Sequence, residues 1–274
     1  MRVLMVYPEF PDTFWSFKHA LAFIRKKASF PPLGLLTVAS LLPQDWELRL
    51  LDMNIEPLTR QDVDWADYVF VSAMIVQRES TRKVMALCEE AKAKVVAGGP
   101  LFIGEYQDFP QVTHFVLGEA ENILPTFLED LERGEAKRVY ESKEFPDIRA
   151  LPVPRWDLVR LDSYSNMCLQ YSRGCPFDCE FCNITAMFGH RPRTKSGQQI
   201  VAELDSLYNR GWRGGVFFVD DNFIGNKREL KREILPAIIE WRKDKRGFEL
   251  QTEVSINLSD DPELLRLMSE AGFR

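Results

Sequence analysis

Short apolar runs alternate with amphipathic helical stretches along most of this chain, and few folds accommodate that alternation. Residues 3–7, 47–51, 68–73, 94–97 and 114–117 are short, rich in Val, Leu and Phe, and bounded by Pro, Gly or Asp, which predicts strands. Between the third and fourth, residues 80–92 place Val84, Leu87, Cys88 and Ala91 on one helical face, where Cys88 reads as a small core hydrophobe. After the fifth, Ile123, Phe127, Leu128 and Leu131 mark a helix that ends at Gly134. Strand–helix alternation of this kind implies a parallel, doubly wound α/β sheet whose ligand crevice lies beyond the carboxyl ends of its strands. Residues 1–145 are therefore expected to form a Rossmann-like domain of flavodoxin type.

Residues 143–166 carry three prolines and little periodicity, so a linker is expected over 146–166, with the boundary near Leu151. From Met167 the alternation restarts. Strands are predicted at 167–172, 216–219 and 250–256, and helices at 199–209, 227–242 (around Pro236) and 262–270. Three βα units do not close a barrel, so residues 167–274 are expected to be the first part of a (β/α) barrel cut partway through.

Cysteine usage narrows the chemistry. Of five cysteines, Cys175, Cys179 and Cys182 fall within eight residues as C-x3-C-x2-C, directly after the first strand of the second domain and behind Arg173-Gly174. Three soft thiolates on one loop suit three corners of a four-iron cluster, leaving one iron open for a non-protein ligand. Two other readings remain. Structural zinc would need a fourth ligand, Cys168 or His190. A catalytic thiol would need a histidine and an orienting acid, in a chain holding only three histidines.

Composition closes off other classes. Thirty-five Lys and Arg against 41 Asp and Glu give a net charge of −6, which argues against a nucleic-acid binder working by bulk positive charge. The most apolar stretch, residues 33–42, is too short to span a bilayer. No charged n-region with an apolar h-region opens the chain, so a cytoplasmic, reducing location is expected.

C-x3-C-x2-C with Phe181 ahead of its last cysteine resembles the radical S-adenosylmethionine (SAM) enzymes. Further residues resemble the subclass with an N-terminal cobalamin (B12)-binding domain. They are Tyr7-Pro8, Phe30-Pro31-Pro32-Leu33-Gly34-Leu35, Ala97-Gly98-Gly99-Pro100 and Leu117-Gly118-Glu119-Ala120-Glu121 in the first domain. In the second they are Gln170-Tyr171-Ser172-Arg173-Gly174-Cys175 and Phe218-Val219-Asp220-Asp221-Asn222. The resemblance spans essentially the whole chain and points within the subclass to the hopanoid C-2 methylase-like group.

That resemblance implies a 4Fe-4S cluster on Cys175, Cys179 and Cys182, SAM on its open iron, and cobalamin as methyl carrier. It implies methylation of an unactivated carbon in a small molecule or lipid, such as a hopanoid or other isoprenoid, through a 5′-deoxyadenosyl radical. The electron donor would be a ferredoxin or flavodoxin. The alternatives are a non-methylating rearrangement by a radical SAM enzyme and a zinc-stabilised binding module. For SAM the resemblance designates Phe181 near the adenine, with Asp220, Asp221 and Asn222 at the amino group. Glu253, Ser255 and Arg193 complete the set, and no catalytic residue is assigned.

The residues themselves admit plainer readings. Asp220 to Asn222 suit an ammonium or a helix N-cap. Glu253 and Ser255, alternating on one face of the third strand, would point into the barrel, where a buried Glu is costly without a purpose. Arg193 and Lys195 suit a ligand carboxylate or a solvated pair. For cobalamin the candidates are Pro8, Ser72, Gly98, Gly99, Pro100, Gly118 and Glu119, the paired glycines allowing close backbone approach or merely a tight turn. No G-x-G-x-x-G follows the first strand, against a dinucleotide. A D-x-H-x-x-G pattern is also absent, which implies cobalamin without a protein imidazole on its lower face. Residues 14–30 combine aromatic and basic side chains, reading as a helix that covers the cofactor cleft or rests peripherally on a membrane.

Overall fold

The computed structural model describes residues 1–13 and 16–274. The chain divides into two compact units: Met1–Pro146 with Asp157–Ser163, and Asp147–Trp156 with Tyr164–Arg274. The stretch read as a linker is thus split between the two, carrying short 3-10 turns at Ile148–Ala150, Trp156–Leu158 and Leu161–Ser163.

The first unit is built on six parallel strands: β1 Arg2–Tyr7, β2 Glu47–Asp52, β3 Tyr68–Ser72, β4 Val95–Gly98, β5 His114–Leu117 and β6 Val139–Glu141. Their spatial order is β2-β1-β3-β4-β5-β6, the flavodoxin-type order with one added edge strand. Alternation along each strand feeds two cores. Leu4, Val6, Val69, Val71 and Phe115 face Val84, Met85 and Cys88 of the helix Arg78–Ala91. Val3, Met5, Phe70 and Val96 face Leu35, Ala39, Ile123 and Phe127. Cys88 is therefore a core residue, and burial pushes its thiol up to about 11.

Strand β6 escapes the sequence reading because it is only three residues long and only Tyr140 is buried; pairing with β5 creates it. The apolar stretch from Leu33 forms the helix Leu33–Leu41 against the sheet. The helix expected over 14–30 is shorter. Phe14 and Trp15 lie outside the described residues, the helix covers Lys18–Phe23, and Arg25 at φ 58° ends the turn that follows.

In the second unit β7 Asn166–Leu169, β10 Gly215–Phe218 and β11 Glu249–Thr252 form a parallel sheet in the order β11-β10-β7. A separate antiparallel pair joins β8 Ser172–Arg173 to β9 Arg193–Thr194. The strand expected over 167–172 is therefore broken, its end leaving the sheet at Gln170-Tyr171. The strand expected over 250–256 stops at Thr252, and a 3-10 turn, Ile256–Asp260, follows. The helix expected over 227–242 is continuous but takes a π-turn at Leu230–Ile234, just ahead of Pro236. That wider turn accommodates a ring that has no N–H to donate.

Phe127 is fully buried, with ring centroids 5.3 Å from Tyr140 and 5.4 Å from His114. Phe127→Ala is expected to cost about 3–5 kcal/mol, read as a lowered denaturant midpoint. A loss under about 1 kcal/mol would show that this face of the sheet is not close-packed.

Candidate cofactor sites

The three clustered cysteines sit on a loop closed tightly at its neck. Strands β8 and β9 pair Ser172 with Thr194 and Arg173 with Arg193, so residues 174–192 leave and return at one point. Gly174 follows with φ +93°, and a Cβ there would meet the carbonyl oxygens of Gly189, Phe188 and Arg191 at 2.8 to 3.0 Å. Only glycine fits. The Cys175 amide donates to the Gly189 carbonyl (3.2 Å), and the Cys182 amide to the Cys179 carbonyl (3.0 Å), which turns the loop between its last two cysteines.

All three thiols are free, Cys175 half-buried and Cys179 and Cys182 exposed. Cys168 is buried inside β7, while His190 is exposed on the loop's return. Among the described residues no three His, Cys, Asp or Glu side chains converge as ligands of a single ion would. A cluster asks something different, since its thiolates bind separate irons at separate corners. Three free soft donors on one accessible loop fit that group. Phe181, beside Cys182, is 94% exposed.

The loops after β10 and β11 are stitched together. The Ser255 amide donates to Asn222 Oδ1 (3.3 Å), Asn222 Nδ2 donates to Ser255 Oγ (3.2 Å), and the Phe223 amide donates to the Glu253 carbonyl (3.1 Å). Asp221 and Glu253 both reach solvent at this junction. Partial burial, then the like charge of Glu253, holds the Asp221 carboxyl above the usual range. Two neighbouring carboxylates of this kind favour a cation.

Several sequence readings are corrected here. Asp220 is enclosed rather than solvated. It is 2% exposed and accepts from the Tyr171 amide (3.0 Å), the Ser172 amide and Ser172 Oγ (2.6 Å). Glu253 is neither buried nor in a strand, because β11 ends one residue earlier. Lys195 is no solvated cation: it pairs with Glu203 of the helix Gly197–Asn209, both side chains almost wholly buried. Arg193 donates to the Phe188 carbonyl (3.3 Å) across the base of the loop. Glu203 escaped the sequence reading, although a signal existed: it lies on the helical face of Ile200, Leu204 and Leu207, where a lone charge is out of place.

In the first unit the designated residues gather at the carboxyl ends of β1, β3, β4 and β5, beyond a parallel sheet that reverses its order between β1 and β3. Pro8 follows β1 and Ser72 closes β3. Gly98 ends β4, Gly99 and Pro100 open the helix Pro100–Glu105, and Gly118 and Glu119 lead into the helix Ala120–Arg133. Gly99 has φ +93°, and a Cβ there would meet Ser72 Oγ at 2.8 Å and Ala73 backbone atoms at 3.1 Å. Met74, Ile75 and Val76, just past β3, and Ile103, past β4, are exposed apolar side chains. A bare backbone beside an apolar rim fits a broad, flat, largely apolar ligand such as a corrin.

Gln77, which the sequence reading passed over, is buried behind these loops. It donates to the Pro8 carbonyl and accepts from the Met74 amide (2.7 Å), tying the β1 and β3 loops together. His114 lies at the opposite, amino end of β5, with Nδ1 against the Lys137 carbonyl (2.6 Å).

The family model for the B12 binding domain matches residues 23–128, and that for the radical SAM superfamily matches residues 169–274. An uncharacterized methyltransferase, sll1242 of Synechocystis sp. (strain ATCC 27184 / PCC 6803 / Kazusa), is 46% identical over 100% of this chain and 51% of its own length. The hopanoid C-2 methylase of Rhodopseudomonas palustris (strain TIE-1) is 37% identical over 99% of this chain and 53% of its own length. The chain thus spans about half the length of the curated relatives it matches. Among solved structures, the radical SAM methyltransferase TsrM from Kitasatospora setae, with tryptophan and a SAM analog bound, superposes with a TM-score of 0.71 at 18% identity. That match covers 100% of this chain and 58% of TsrM. The cobalamin-dependent SAM radical enzyme OxsB superposes with a TM-score of 0.71 at 16% identity, over 98% of this chain and 42% of its own.

Burial raises the Asp220 carboxyl from 3.8 to about 6, while its hydrogen bonds pull the other way. A folded value above the unfolded one means this group favours folding most below pH ~4 and loses that contribution as pH rises through ~6. Relative to Asp220→Asn, the wild type is expected to lose about 2–3 kcal/mol between those limits. Melting curves of both proteins across that window check it; a pH-independent difference would mean the carboxylate is not buried.

Proposed function

We propose a cobalamin-dependent radical SAM C-methyltransferase acting on a small molecule or lipid, since the chain belongs to the radical SAM superfamily and carries a B12-binding domain ahead of its radical SAM domain. The observation that carries this reading is the loop of three free thiols, closed at its neck and presenting soft donors. When bound, the cluster and SAM supply one-electron chemistry at carbon, and cobalamin supplies a transferable methyl group.

The protein's part is to hold and orient. Cys175, Cys179 and Cys182 ligate the cluster. Asp221 and Glu253 offer paired negative charge to the SAM ammonium, while Asn222 and Ser255 brace the two loops that carry them. Phe181 would pack near the adenine, its exposed ring gaining an apolar partner in doing so. Arg193 lies at the base of the loop with a charge suited to the SAM carboxylate. In the first unit, Pro8, Ser72, Gly98, Gly99, Pro100, Gly118 and Glu119 would hold the cobalamin, and the exposed Met74, Ile75 and Val76 would offer it apolar contact.

Methylation, rather than rearrangement, is favoured by the methylase and methyltransferase names of the curated relatives. Accessible thiols call for a reducing compartment, which suits the cytoplasm and a ferredoxin or flavodoxin as electron donor. Among the described residues no helix is long and apolar enough to cross a membrane.

Anaerobically reconstituted protein is expected to be brown with about four irons per chain, and Cys179→Ala to lose most of that iron. A colourless, zinc-bearing protein would end the reading. Incubation with reductant, SAM and cobalamin is expected to release 5′-deoxyadenosine and to place labelled methyl in an extracted substrate. Release without methyl transfer would select the rearranging alternative.

A further inference from the structure

The base of the cysteine loop rests on buried charge. Its incoming strand, β8, is held by Asp220, whose carboxylate takes both the Tyr171 and Ser172 amides and the Ser172 hydroxyl. Those partners lie 48 and 49 residues away in sequence. Its outgoing strand, β9, is followed at once by Lys195, whose amide donates to the Tyr171 carbonyl (2.8 Å) and whose ammonium is buried against Glu203. The same ammonium acts electrostatically on Asp220. The second Glu203 oxygen has no hydrogen-bond partner among the described residues. A buried ion pair with one oxygen unsatisfied contributes little to stability, yet it demands one geometry.

We propose that Asp220 and the Lys195–Glu203 pair are positioning residues that clamp the two strands at the neck of the cysteine loop from beneath, one carboxylate to each strand, so that the three thiols are presented in a single arrangement. The clamp goes beyond the proposed function in assigning these residues to the loop rather than to SAM, and its link to a cluster rests on that reading. A loop of this length that carries three ligands loses conformational freedom when it binds. Fixing its neck beforehand lowers that cost, as preorganisation does elsewhere.

Asp220→Asn is the discriminating change. It keeps one acceptor and turns an amide donor toward a backbone N–H, so one charged hydrogen bond becomes a donor–donor clash. In the iron-free full chain, amide exchange across residues 172–194 is expected to rise about tenfold, the worth of one hydrogen bond to a charged group. In the reconstituted protein, iron release to a chelator is expected to quicken by a similar factor. Ser172→Ala removes only the hydroxyl, keeps both amide bonds, and is expected to move both readings the same way by about threefold; it carries the test if Asp220→Asn does not fold. Asp205→Ala is the control. Asp205 shares the helix Gly197–Asn209 with Glu203 and accepts from Trp241 Nε1 (2.8 Å) of the helix Leu235–Arg242, so its loss frees that donor without touching the neck. The substitution is expected to lower stability while leaving loop exchange and iron release unchanged.

Exchange unchanged in the neck variants, or raised equally by Asp205→Ala, overturns the clamp. If exchange rises as expected but the wild type takes up no iron, the clamp stands and the cluster reading falls.

Discussion

Parallel strands cannot be joined by a tight turn; each must be followed by a crossover that returns the chain to the far edge of the sheet. All loops that leave the carboxyl ends therefore collect on one edge, with no connections in their way. Both units obey this constraint, and both keep their candidate site residues there. In the first, four strand ends bring Pro8, Ser72, Gly98-Gly99 and Gly118-Glu119 together from positions more than a hundred residues apart. In the second, the cysteine loop, the Asp220–Asn222 turn and the Glu253–Ser255 turn all follow strand ends.

What keeps such loops in register is a small set of buried polar groups. Gln77 joins the β1 and β3 loops of the first unit with one donor and one acceptor. Asp220 does the equivalent in the second, with Lys195 and Glu203 beside it. Burying such groups is costly unless hydrogen bonds compensate, and these groups sit at the feet of the candidate site loops, where they fix geometry.

Charge is distributed to match. The chain is acidic overall, and within the second unit carboxylates play two opposite parts. Asp220 is enclosed and satisfied by the backbone amides of Tyr171 and Ser172; Asp221, its neighbour, reaches solvent beside Glu253 and takes its own backbone amide. One residue's step along the chain thus turns a structural acid into an available one.

The sequence by itself determined the periods and the donors. Strand and helix spacing dictated the parallel sheets, and C-x3-C-x2-C dictated a loop of soft ligands, because both signals are local and depend on residue type alone. Direction was another matter. Whether Asp220 looked inward, whether Glu253 sat in a strand, and whether Lys195 was solvated depended on partners up to 49 residues away, such as the Tyr171 amide. The strand after the helix Ala120–Arg133, Val139–Glu141, likewise exists only because β5 offers it a ladder. Only the tertiary structure decided these, since a side chain's orientation is set by the groups that can hydrogen-bond it, and the fold alone brings those groups near.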